Sequence, residues 1–65
     1  MLGARIKEYL QENGIKQSFV ADKTGFGISK INRICNSDAT ITILDYCKIC
    51  KVLGVPLEYF LKDLV

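Results

Sequence analysis

The chain has 65 residues and a mass of 7.3 kDa, room for one small domain spanning residues 1–65. It is 49% hydrophobic and 25% charged with one proline, which excludes a disordered tail, and at this size dimerisation often supplements a small core. There is no histidine, so the commonest general base and metal ligand are missing, and the net charge is only +2. An enzyme is not expected.

That charge is unevenly placed. Residues 1–36 carry Arg5, Lys7, Lys16, Lys23, Lys30 and Arg33 against Glu8, Glu12 and Asp22, a net of +3. Residues 37–65 carry Lys48, Lys51 and Lys62 against Asp38, Asp45, Glu58 and Asp63, a net of −1. The first half is therefore the side expected to face a polyanion. No apolar run approaches the ~20 residues that span a bilayer. The opening Met1-Leu2-Gly3-Ala4 lacks the apolar stretch of a secretory signal. Three cysteines without a disulfide-type framework fit a reducing interior, so a cytoplasmic location is expected.

In chain order, Ile6 and Leu10, with Tyr9 beside them, predict a first helix that stops at Asn13-Gly14. Gln17–Thr24 predicts a second helix with Val20 and Ala21 inward, ending at Gly25. Ile28–Asn36 predicts a third, held by Ile31 and Ile34, and residues 36–41 read as a loop. Thr42 opens a fourth helix, with Asp45 three residues on as in a capping box. Its expected inward residues are Ile43, Tyr46, Cys47, Cys50 and Leu53, with Gly54 as terminator. Pro56, suited to a first helical position, is expected to start a fifth helix carrying Leu57, Phe60, Leu61 and Leu64, the first three inward and Leu64 intermediate. No strand is indicated. The expected fold is all-α, with five short helices.

The informative stretch runs from Gln17 to Ile34. Ala21 is small enough to let a second helix approach, and Gly25 can take the positive φ of a tight turn. Val20, Phe26, Ile31 and Ile34 then anchor one helix on the other. Such a pair is a helix-turn-helix, spanning about residues 17–36, whose second helix can enter the DNA major groove.

From Arg5 to Leu61 the sequence resembles the phage lambda-type repressor and Cro family, also called the XRE family. The resemblance rests on Gln17-x-x-Val20-Ala21-x-x-x-Gly25, on Ile31-Asn32-Arg33-Ile34, and on Leu53-Gly54-Val55 at the right mutual spacing. It implies a five-helix lambda-repressor-like domain that binds double-stranded DNA as a homodimer and regulates transcription, most often as a repressor at a palindromic operator. On this resemblance the recognition helix is Ile28–Cys35, with Gly27 at its N-cap and Ile28, Ser29, Lys30, Asn32 and Arg33 outward. Arg33 can grip guanine bidentately, Asn32 can read adenine, and Ser29 suits several base edges. Ile28 offers only apolar contact, suited to a thymine methyl. Gln17 is expected to bond a phosphate at the start of its helix, and Lys16, Lys30 and Asn36 are further phosphate candidates. Relatives pair an arginine in the first helix with a glutamate closing the third. Leu10 and Cys35 stand there instead and are expected to touch as an apolar pair. Lys16 replaces the usual small cap residue, which predicts a weak cap. Ser37-Asp38-Ala39-Thr40 replaces the glycine and basic residues that follow the recognition helix, so no phosphate grip is expected from that loop.

Cys47-x-x-Cys50 invites a metal or redox reading, but with only Cys35 as a further sulfur the pair is read as core, and no metal or cofactor is expected. Leu44, Tyr59, Leu64 and Val65 are apolar or aromatic off the inward faces and are the expected dimer surface. A protein-interaction module of the same fold that has lost DNA binding is the alternative, favoured by Ile28 and Asp38. No small-molecule ligand and no membrane partner are expected.

Overall fold

The computed structural model describes residues 2–36 and 41–61. Its helices are α1 (Leu2–Glu12), α2 (Gln17–Thr24), α3 (Ile28–Asn36) and α4 (Ile43–Leu53), and the described residues contain no strand. The all-α class is as expected. α3 packs on α1 and α2, and α2 packs in turn on α4.

Glycine sets the ends. Gly14, Gly25 and Gly54 adopt φ of 65°, 81° and 72°, the left-handed region where a Cβ would strain the backbone. After α4, the Gly54 N–H donates to the Lys51 carbonyl (3.3 Å) and the Val55 N–H to the Cys50 carbonyl (3.1 Å). These bonds satisfy carbonyls that the helix end leaves open. At the other end, Thr42 Oγ1 accepts from the Asp45 N–H at 3.1 Å, so the cap forms. Lys16 caps α2 with no side-chain bond, as its residue type predicts.

One cluster forms the core: Ile6, Leu10, Val20, Ala21, Ile31, Ile34, Cys35, Tyr46, Ile49, Cys50 and Phe60. Leu10 and Cys35 both point into it rather than into water. Burial pushes the Cys35 thiol above its ordinary pKa, against the opposing field of Lys7. Cys50 is raised by burial too. Raised pKa values keep these thiols protonated, the condition of packing groups rather than reactive ones.

Two expectations fail in α4 and beyond it. Ile43, expected inward, is 69% exposed, whereas Ile49, which the spacing argument missed, is 1% exposed. The inward stripe is Tyr46, Ile49 and Cys50 with Leu53 half-buried, and Cys47 lies at its margin. The stripe is thus rotated away from Ile43. The second failure is the fifth helix. Residues 57–61 form turns, with Tyr59 N–H on the Pro56 carbonyl and Leu61 N–H on the Glu58 carbonyl, each at 3.0 Å. A helix would hand the Leu57 carbonyl to Leu61. Here the Tyr46 hydroxyl donates to that carbonyl instead. Leu57, expected inward, is 46% exposed, while Phe60 is buried against the rings of Tyr9 and Tyr59 at centroid distances of 5.5 and 5.1 Å. Edge-on aromatic contact, rather than helix continuation, fixes this segment. Leu64 lies outside the described residues.

The Tyr46 hydroxyl has a measurable consequence. Burial, with a contribution from Cys50, pushes its pKa up to about 12. The folded protein therefore favours neutral tyrosine, and this contribution is complete below the unfolded value of about 10. It is lost as pH rises from there toward the folded value. Tyr46→Phe is expected to cost about 1 kcal/mol at neutral pH and to flatten the alkaline fall in stability, read by urea unfolding at several pH values.

Candidate nucleic-acid interface

α3 divides its residues sharply between two sides. Ile31, Ile34 and Cys35 are buried, whereas Ile28, Ser29, Asn32, Arg33 and Asn36 are exposed. Ser29, Asn32, Arg33 and Asn36 follow the spacing i, i+3, i+4, i+7, which places them in one stripe along the outer face. Within it, Asn36 Nδ2 donates to Asn32 Oδ1, so the two amides orient one another. Ile28 opens the helix 48% exposed, a large apolar group beside polar ones. The Gly27 carbonyl accepts from the Lys30 N–H at 3.0 Å and the Ile31 N–H at 3.3 Å, which starts α3 directly after the turn.

The turn itself is built from one backbone conformation and the hydrogen bonds of Thr24. Gly25 takes the left-handed conformation, Thr24 Oγ1 donates to the Val20 carbonyl at 2.7 Å, and Phe26 N–H donates to Thr24 Oγ1 at 3.3 Å. They fix where α3 leaves α2. Gln17 is half-buried at the first position of α2, and Lys16 is exposed just before it. The N-terminus of α2 carries the partial positive charge that suits a phosphate.

Lys30 departs from the outward set. It is half-buried and leans toward α4, where its Nζ lies 3.1 Å from Asp45 Oδ2. The same ammonium stands 4.3 Å from the centroid of the Phe26 ring, which Lys48 approaches at 5.5 Å. The Lys30 bond holds the Asp45 carboxyl below its ordinary pKa, with help from Thr42. Sequence reasoning missed this link because the partners are 15 positions apart and only the fold brings them together. Its effect is to tie the first turn of α3 to the first turn of α4. Asp45→Asn is expected to leave the chain folded while loosening α3, seen as faster amide exchange over residues 29–33. Equal exchange in both proteins would show that the link does not position the helix.

The chain matches the helix-turn-helix family model over residues 6–60, most of its length. It belongs to this XRE-type helix-turn-helix family. No curated protein matches the sequence. Membership makes the chain a DNA-binding regulator that takes double-stranded DNA, and α2 with α3 is its helix-turn-helix pair. No described helix of this helix-turn-helix protein is long and apolar enough to cross a membrane. The described residues contain no group of three or more metal-ligating side chains.

The expected dimer residues are only partly described. Leu44 is 72% exposed and stands beside Ile43 at the start of α4. Tyr59 is exposed but lends its ring to Tyr9 at 5.4 Å, so it also serves the fold. Leu64 and Val65, and residues 37–40 with Asp38, lie outside the described residues.

Proposed function

We propose that the chain is a homodimeric repressor that occupies a palindromic operator and blocks polymerase there. The observation that carries this reading is the exposed polar stripe of α3, set against a fully apolar inner face. In it Arg33 takes guanine O6 and N7, Asn32 reads adenine, and Ser29, one turn before Arg33, adapts to its base. Ile28 packs on a thymine methyl. Lys16, Gln17 and Asn36 hold phosphates, and Gly27 lets the α3 N-terminus come close to the backbone. An ammonium has three donors, so Lys30 can keep Asp45 and still meet a phosphate.

The half-site read by one α3 is short, and specificity requires a second copy about one helical turn away. The exposed apolar residues Ile43, Leu44 and Leu57 supply a surface for it, with Tyr59 at its edge and Leu64 and Val65 as further candidates. Its cysteines Cys35, Cys47 and Cys50 are free thiols, which supports a cytoplasmic setting. Two measurements test the reading. Duplex binding should weaken steeply with salt, as counterion release demands. Leu44→Glu should convert a sedimenting dimer to monomer and abolish cooperative binding. A parent chain that is monomeric and binds without cooperativity would remove the dimer and its palindrome.

A further inference from the structure

The face shared by α2 and α4 carries a groove that the DNA reading leaves unused. It is an open hollow of about 540 Å³ lined by Phe19, Lys23, Thr24, Lys48, Lys51 and Val52. Three of these residues are lysines and none is acidic. Among the described residues no carboxylate bonds any of the three, and the nearby Asp45 is held by Lys30. Phe19 is 48% exposed, with the Lys23 ammonium 5.8 Å from its ring centroid. The half-exposed Phe19 ring and Val52 thus share one hollow with three lysines, of which Lys48 alone acts on a carboxylate, that of Asp45.

We propose that this groove docks an acidic segment of a partner protein. One apolar side chain of the segment packs on Phe19 and Val52, and flanking carboxylates meet Lys23, Lys48 and Lys51. Charge complementarity selects the sign of the partner, and the apolar floor selects its class. A duplex would satisfy the lysines but offers Phe19 only its sugar carbons, its bases being stacked inside, whereas an acidic peptide can bring a whole apolar side chain. None of the six lining residues belongs to the set assigned to DNA, and Phe19 is the one that also lines a hollow with the phosphate candidate Lys16.

The test uses the full chain, labelled with nitrogen-15, and a synthetic acidic peptide of glutamates and aspartates around one leucine. Amide shifts are expected within α2 and α4 around Phe19, Lys23, Lys48 and Lys51, and they should persist when duplex DNA is bound. Phe19→Ala, and separately Lys48→Glu with Lys51→Glu, should each weaken the peptide about tenfold or more, and circular dichroism should show both variants folded. Three results would overturn the proposal. A peptide with serine for leucine could bind equally well, which would reduce the groove to a general polyanion surface. Shifts could map to α3 instead. Duplex DNA alone could move the same groove amides, which would make the groove part of the nucleic-acid surface.

Discussion

Cys35→Glu is expected to lower stability by about 3 kcal/mol or more, because it puts a carboxylate into the core without a partner. Cys35 is 5% exposed and shares its cluster with Leu10 at 2%. Lys7 acts on this position electrostatically, which trims the cost without removing it. A domain of this size has only about 5 kcal/mol in reserve, so the variant should keep less than half of its stability and unfold at a much lower urea concentration. Adding Leu10→Arg restores the charge pattern of the relatives and should recover part of the loss, read as coupling in a double-mutant cycle by urea unfolding. A Cys35→Glu protein as stable as its parent would show that the two positions do not share one desolvated site.

Arg33→Ala is the variant with the largest expected effect on recognition. Removing a bidentate guanidinium contact should cost about 1–3 kcal/mol at one base position and relax the preference there. Binding to single-base variants of the preferred duplex measures it. A loss equal over every sequence would instead make Arg33 a phosphate contact. The distinction rests on the place of Arg33 in the outer stripe, one turn beyond Ser29 and opposite the buried Ile31.

Much of this architecture is legible in the residues themselves, for local reasons. Positive φ at Gly14, Gly25 and Gly54 follows from three well-placed glycines, and the cap at Thr42 follows from a hydroxyl three residues before Asp45. The split faces of α3 follow from its apolar spacing. What escaped reading depends on partners distant in sequence. The Tyr46 hydroxyl claims the Leu57 carbonyl, 11 positions away, and residues 57–61 turn rather than coil. Lys30 reads as an ordinary outward cation until Asp45 is brought beside it. Ile43 fits a helical face on paper, yet the core meets α4 through Ile49. Periodicity gives the existence of a face more securely than its rotation.

On the proposed function, the outer face of α3 reads DNA sequence in two symmetric copies. Selection of bound duplexes from a random library tests it most directly. The predicted result is enrichment of two inverted half-sites about one helical turn apart. Arg33→Ala should blur one position in each half-site. Recovery of unenriched sequence at every salt concentration would show that α3 does not read sequence.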